Sequence, residues 1–235
     1  MHTSETSIGS GRLSATHTAS RGRTEASLVS PWCSSAGKRA LDVVVSSLAL
    51  IALWPVLLLV AATIRVSSPG PVLFRQIRVG RRGRSFQLLK FRSMQVAAER
   101  LGPRITCQND SRIFPVGRIL RKWKLDELPQ LLNVLRGDMS LVGPRPELPE
   151  FCATLDKEQR LILELRPGVT SVATVTYRDE ERILADQERR QLTDYYVKTL
   201  YPEKVRLDVE YAKKADFISD VRILVKTAAA IFVIR

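Results

Sequence analysis

Between Val43 and Ile64 the chain runs for 22 residues without a formal charge, VVVSSLALIALWPVLLLVAATI. As a helix rising about 1.5 Å per residue it covers roughly 33 Å, enough for a hydrocarbon core of about 30 Å. No other feature constrains the fold as strongly. Pro55 lies in its middle, where it cannot donate to the Ile51 carbonyl and its ring crowds the preceding turn. Cations stand at both ends: Lys38 and Arg39 before the run, and Arg65, Arg75, Arg78, Arg81, Arg82, Arg84, Lys90 and Arg92 after it, with no acid between 65 and 92. Both ends therefore read as cytoplasmic. The expectation is a re-entrant membrane helix over 37–68, broken at Pro55, that enters and leaves by one face. A kinked span and a buried soluble helix are the alternatives.

The whole chain carries 37 Lys and Arg against 24 Asp and Glu, a net charge of +13, which calls for a polyanionic neighbour. Nucleic acid, an anionic membrane and phosphorylated substrates all qualify. A hydrophobic content of 45% excludes a disordered polyelectrolyte. Residues 1–36, rich in Ser, Thr, Gly and Ala, read as a disordered tail. Beyond the apolar run, residues 69–235 read as one cytoplasmic domain, mixed α+β and mainly helical. PVLFRQIRV and SFQLLKFRSM flank the turn-like GRRGR and predict a basic hairpin near the membrane. A basic helix is expected over 115–123. Leu125, Leu128, Leu132 and Leu135 space out one apolar helical face that ends at Gly137. Further helices are expected over 147–165 and 180–215, and a shorter apolar one over 221–234 that packs or lies on the membrane.

Three scattered cysteines without CxxC spacing and two histidines, His2 and His17, both in the tail, leave carboxylates, Lys or Tyr as the acid–base groups. The informative stretch is LDELPQLLNVLRGDMSLVGPRPELP, residues 125–149. Asp126 and Glu127 stand at a helix start with Pro129 in the first turn, where the macrodipole should keep Asp126 ionised well above pH 3.9, about the reference value. Taken alone, this is also what a helix cap looks like. The surroundings argue for more: Arg112, Arg118, Arg121, Lys122 and Lys124 precede the pair, and Arg136 and Arg145 follow it. Carboxylates among many cations suit phosphoryl transfer, in which developing negative charge must be neutralised. Gly143-Pro144-Arg145-Pro146 is a stiff loop able to hold a guanidinium against a phosphate, or simply a turn.

These residues resemble the bacterial sugar transferases, the monotopic polyprenyl-phosphate phosphoglycosyl transferases. The resemblance rests on KRALD at 38–42, Pro55, PGPVLFRQIRVG at 69–80, KFRSM at 90–94, Asp110 with Arg112, DELPQLLNVLRGDMSLVGPRP at 126–146 and RPGVTS at 166–171. It implies a re-entrant helix and a catalytic domain on the cytoplasmic face of the bacterial inner membrane. The implied reaction transfers a sugar 1-phosphate from a UDP-sugar to undecaprenyl phosphate with release of UMP, at the start of exopolysaccharide, O-antigen or glycoprotein glycan assembly. By the same resemblance Asp126 is the nucleophile and Mg2+ contact, Glu127 its acidic partner, and Pro144, Arg145 and Pro146 the nucleotide-side loop. Lys90, Arg92, Arg112 and Arg121 are the candidate phosphate-binding residues. The chain departs from the pattern at Trp54, where many members carry Ser before the proline, at Lys124, and over SVATVTYRDEERIL after the PGVT segment.

Two rivals come from other classes. A non-catalytic binder of anionic lipid explains the charge and the apolar run but gives the acidic pair no task. A nucleic-acid binder should interleave aromatics with its basic face, whereas the basic stretch adjoins a hydrocarbon-length segment. The expected partners are therefore UDP-sugar, undecaprenyl phosphate and anionic membrane lipids, without nucleic acid; self-association and the identity of the sugar stay open.

Overall fold

The computed structural model describes residues 28–98, 102, 105–107, 109–188 and 191–232. The expectation of a disordered tail falls mostly on residues 1–27, outside those described. From Leu28 the chain is placed, and Pro31–Ser34 forms a 3-10 turn whose Trp32 Nε1 donates to Asp220 Oδ2 at 2.9 Å.

The apolar run lies within one 32-residue helix, α1 (Ala36–Ser67). Ser35 starts it by accepting from the Lys38 backbone N–H at 3.0 Å. The helix continues through Pro55, where a break was expected, since proline removes one donor and leaves the hydrogen bonds on either side to carry the helix. Only 11% of its most apolar 18-residue window is buried, leaving Leu48, Ile51, Trp54, Leu58 and Leu59 exposed.

Both ends of α1 nevertheless rest on the same folded body. At the start, Arg39 donates to the Val134 and Leu135 carbonyls at 2.6 and 2.9 Å, and Asp42 Oδ1 accepts from Ser140 Oγ at 3.0 Å and the Leu141 N–H at 2.9 Å. At the far end, Val60 and the fully buried Ile64 pack with Phe91, Phe114 and Leu120. Truncating a side chain buried like Ile64 to Ala costs about 2–5 kcal/mol.

After α1, strands β1 (Leu73–Val79) and β2 (Ser85–Phe91) pair antiparallel, Leu73 opposite Phe91 and Val79 opposite Ser85. The tight turn between them places Arg82 and Gly83 at φ 56° and 71°. Helix α2 (Pro115–Lys122) approaches the chain leaving β2 so closely that a Cβ on Gly117 would lie 2.0 Å from the Ser93 carbonyl oxygen. A 3-10 turn (Leu125–Glu127) leads into α3 (Gln130–Arg136), and β3 (Ser140–Val142) pairs parallel with β4 (Gly168–Thr170).

The leucine pattern in this region resolves differently from the expected face. Helix α3 begins only at Gln130, so Leu125 and Leu128 are out of helical phase with it. Its buried side is Gln130, Leu131, Asn133 and Val134, and Leu132 is exposed. Asn133 replaces a ladder partner for β2: its Oδ1 accepts from the Leu89 N–H at 3.0 Å, and its Nδ2 donates to the Gln87 carbonyl at 2.8 Å.

The helices expected over 147–165 and 180–215 are also subdivided. Pro149–Cys152 forms one helical turn. Asp156 and Gln159 then exchange side-chain and backbone hydrogen bonds, and a 3-10 segment follows over Gln159–Glu164. Further on, Glu180–Ala185 and Leu192–Tyr195 precede a π-turn, and the long helix α4 (Tyr201–Lys214) starts at the turn carrying Pro202. Helix α5 (Phe217–Phe232) ends the described chain. The main core gathers Leu131, Val134, Met139, Val142, Phe151, Tyr196, Val205 and Ala212, while Leu125 of the acidic turn packs against the smaller cluster around Ile64.

Candidate active site

The acidic pair sits on the 3-10 turn Leu125–Glu127, entered through Lys124 in the left-handed region at φ 55°. This conformation turns the chain sharply after α2, and it buries Asp126 to 4% exposure. Asp126 Oδ1 is buried and has no hydrogen-bond partner. Burial and the neighbouring Glu127 push the Asp126 carboxyl up, against the pull of Lys90, Arg121 and Lys124. The sequence led to the opposite expectation, because a helix N-terminus favours the anion. Here the turn precedes the helix, and desolvation outweighs the dipole.

Glu127 behaves differently on the same turn. Its Oε1 accepts from Lys90 Nζ at 2.9 Å and lies 3.5 Å from an Arg145 terminal nitrogen. Burial acts to raise the Glu127 carboxyl, but Lys90, Arg145 and Lys124 together hold it well below the usual range. Two adjacent carboxylates thus have opposite electrostatic settings, a pattern common where chemistry is done. Lys90 is pushed down, chiefly by burial, while Arg145 is held up against burial by Glu127, Glu180 and Glu147.

Arg145 reaches this position because its loop is pinned on several sides. Gly143 donates its N–H to the Thr170 carbonyl at 3.0 Å, and a Cβ there would lie 2.4 Å from the Arg166 carbonyl oxygen. Pro144 accepts from the Gly168 N–H at 2.8 Å, and Pro146 from Arg78 at 3.0 Å. Behind the loop, Glu147 accepts from Tyr196 Oη at 3.0 Å and stands 3.5 Å from Arg78; Lys204 Nζ reaches Glu180 at 2.7 Å and Tyr196 Oη at 3.3 Å. Asp208, buried on α4, accepts from the Ala173 N–H at 3.5 Å and is approached by the Arg145 backbone N–H. Burial raises its carboxyl to about 7.

The structure therefore brings Asp126, Glu127, Lys90, Arg145, Pro144 and Pro146 together. Arg121 lies close enough to act on Asp126 electrostatically, with its guanidinium paired to Glu181. Arg92 and Arg112 go elsewhere. Arg92 donates to Ser68 Oγ, the Ser68 carbonyl and the Pro69 carbonyl at 3.1, 2.7 and 2.8 Å, fastening the exit of α1, and stacks over Phe114. Arg112 grips Asp110 with a shortest contact of 2.6 Å and reaches the Ala98 and Ile105 carbonyls. Pro55 lies in the exposed middle of α1, outside the site. Sequence reasoning missed Arg78, Glu147, Tyr196, Lys204 and Asp208. A usable signal was the Lys204/Asp208 pair, one helical turn apart, on the same side of α4 as the apolar Tyr201 and Val205.

Among the described residues no three His, Cys, Asp or Glu side chains cluster as a complete metal cage. The donor set does fit Mg2+, which is commonly held by one or two carboxylates together with substrate phosphates and water. The unpartnered Asp126 Oδ1, with Glu127 beside it, is the oxygen that would hold such an ion.

A basic body with one long apolar helix thus carries an acidic pair set among fixed cations. The sequence profile described as bacterial sugar transferase matches residues 33–233, and the chain belongs to that family. Among its relatives are a UDP-N-acetylgalactosamine-undecaprenyl-phosphate N-acetylgalactosaminephosphotransferase from Aeromonas hydrophila, 36% identical over 83% of this chain and 43% of its own length, and a UDP-glucose:undecaprenyl-phosphate glucose-1-phosphate transferase from Caulobacter vibrioides, 48% identical over 59% of this chain and 53% of its own. The exopolysaccharide production protein ExoY of Sinorhizobium fredii is 34% identical over 84% of this chain and 86% of its own length. The chain thus spans about half the length of the first two and most of the third.

Proposed function

We propose that this protein transfers a sugar 1-phosphate from a UDP-sugar to undecaprenyl phosphate on the cytoplasmic leaflet, releasing UMP, as the first membrane step of glycan assembly. The observation that carries the reading is the pairing of a buried, unpartnered Asp126 oxygen with a Glu127 held between Lys90 and Arg145. A structural cap would have its oxygen bonded to a backbone N–H.

In the proposed reaction an ionised Asp126 oxygen forms a bond to the sugar-bearing phosphorus. The bridging P–O bond breaks and its electron pair leaves with UMP. A phosphate oxygen of undecaprenyl phosphate then displaces the carboxylate from the same phosphorus, giving the lipid-linked sugar diphosphate and restoring Asp126. Two displacements suit one soluble and one lipid-bound substrate, because both need not be held at once. Lys90 and Arg145, oriented by Glu127, neutralise phosphate oxygens, and Arg121 and Lys124 help keep Asp126 ionised. Asp126, with Glu127 beside it, would hold Mg2+, which when bound would add charge neutralisation at the diphosphate.

Re-entry of α1 belongs to the same proposal. Its two ends are fastened to one folded body, by Arg39 and Asp42 at the start and by Ile64 and the Arg92–Ser68 contacts at the exit, which favours one side of the membrane for both.

The test uses the purified full chain in detergent with polyprenyl phosphate and a donor panel beginning with UDP-glucose and UDP-N-acetylgalactosamine, the donors named for relatives. UMP release with lipid-linked product is expected. Without acceptor, intact mass should show a phosphosugar adduct on the Asp126 peptide, absent from Asp126→Asn. Turnover through an obligatory ternary complex with no adduct would overturn the double displacement.

A further inference from the structure

The short helix Glu180–Ala185 takes no part in the proposed chemistry, yet both acids of its first turn end on cations around the site. They belong to SVATVTYRDEERIL, the stretch over which the chain departs from the pattern of many family members. Glu180 Oε2 accepts from Lys204 Nζ at 2.7 Å and acts electrostatically on Arg145. Glu181 Oε1 accepts from a terminal nitrogen of Arg121 on α2, the cation that acts on Asp126. Two consecutive acids of one helix thus reach toward the cations that serve the consecutive acids Asp126 and Glu127.

The two pairs differ in how readily they can part. The Lys204 side chain is buried, and Leu184, one helical turn after Glu180, is sealed in the main core, so this side of the helix is fixed. The Glu181 side chain is 40% exposed and returns to water at little cost, whereas that of Arg121 is 21% exposed. A guanidinium presents its donors as a planar fork matched to two oxygens of a phosphate. Glu181 meets one terminal nitrogen of that fork and leaves Arg121 Nε buried without a hydrogen-bond partner. An unmet buried donor on a cation is costly, and a phosphate with several acceptor oxygens removes that cost where one carboxylate oxygen does not.

We infer that Glu181 is an affinity-setting residue of the site: its carboxylate holds Arg121 in the substrate-free protein, and a substrate phosphate takes its place. The exchange is of one anion for another on the same guanidinium, and Glu180, fixed by Lys204, keeps the displaced Glu181 close by. Glu181 therefore lowers the affinity of Arg121 for phosphate and retakes the guanidinium when the phosphate moves on, which favours release. Both the donor diphosphate and the lipid phosphate have the chemistry to displace it. The inference rests on the sugar-phosphate transfer reading, in which Arg121 stands beside the reacting phosphate.

Calorimetric titration of the full chain in detergent, with UDP, UDP-glucose and geranyl phosphate in separate arms, tests this without turnover. Glu181→Gln should lower Kd on the order of fivefold, the worth of a partly exposed ion pair, for UDP and UDP-glucose alike or for geranyl phosphate, according to which phosphate replaces the carboxylate. Glu210→Gln, which removes the same charge from an exposed pair with Arg206, should leave every Kd unchanged. In an Arg121→Gln background, adding Glu181→Gln should bring no gain. An equal gain without Arg121 would reduce the effect to net charge and overturn the inference. An unchanged or higher Kd for all ligands in Glu181→Gln would make the carboxylate a mere support for Arg121, and also overturns it. Weaker binding of UDP-glucose with UDP unchanged would assign Glu181 to sugar hydroxyls instead, a third overturning result. The expected gain without UMP release from any donor would leave the subsite standing and sink the transferase reading.

Discussion

Lys90 Nζ and Glu127 Oε1 lie 2.9 Å apart, joining the second strand of the hairpin to the acidic turn across 37 residues of sequence. Lys90 is the foremost of the charges that hold the Glu127 carboxyl low against burial. Lys90→Met should raise that carboxyl and move the acid limb of the kcat/KM profile to higher pH. Lys90→Arg should restore much of the profile. An unchanged acid limb in Lys90→Met would separate Glu127 from the reaction.

Asp126→Asn should separate activity from stability. The folded-state Asp126 carboxyl is raised, so its contribution to stability is fully present below the ordinary carboxylate value and is lost as pH rises through the folded value. Above the ordinary carboxylate value the group is therefore a net cost to the fold. The Asn variant should lose turnover and adduct yet melt at or above the wild-type Tm in the same detergent. A marked fall in Tm would identify Asp126 as a structural cap.

Asp208 offers a second pH test, remote from the proposed nucleophile in sequence. With its carboxyl raised from 3.8 to about 7, its contribution to stability diminishes as pH rises between those values. Denaturation across that window should show a flatter pH dependence in Asp208→Asn than in the wild type. Parallel curves would mean that Asp208 titrates normally.

Arg92 and Arg145, both candidate phosphate ligands by sequence, should part company. Arg92→Ala removes three hydrogen bonds to Ser68 and Pro69 and should destabilise the protein by about 2–4 kcal/mol, with KM for the donor unchanged in the folded enzyme. Arg145→Ala, by contrast, should raise KM or lower kcat with a smaller change in Tm. A selective rise in donor KM for Arg92→Ala would return Arg92 to the site.

Topology can be read at Ala36 and Val66, exposed positions near the two ends of α1. Single cysteines there, in a background lacking the native three, should both resist an impermeant thiol reagent applied to intact cells. Labelling of position 36 alone would make α1 a span.

The uncharged run, the cations at both its ends and the acidic pair within a basic block are legible in the sequence, because each depends on neighbours along the chain. The meeting of distant residues is not. Arg92, Arg112 and Lys90 look alike as cations near the motif, yet only Lys90 reaches Glu127, since the strand pairing and the fold of the Asp110 loop aim the other two elsewhere. Local helix electrostatics indicated an ionised Asp126; the tertiary structure buried its oxygen without a partner, and desolvation reversed the direction of the shift. The leucine spacing predicted one helix face, whereas the left-handed Lys124 and the 3-10 turn put the first two leucines out of phase with α3. Sequence thus determined the chemical inventory and the affinity of one segment for an apolar medium. Burial and charge pairing depend on the path of the whole chain, and they decided which cations serve the acidic pair and how each carboxyl is set.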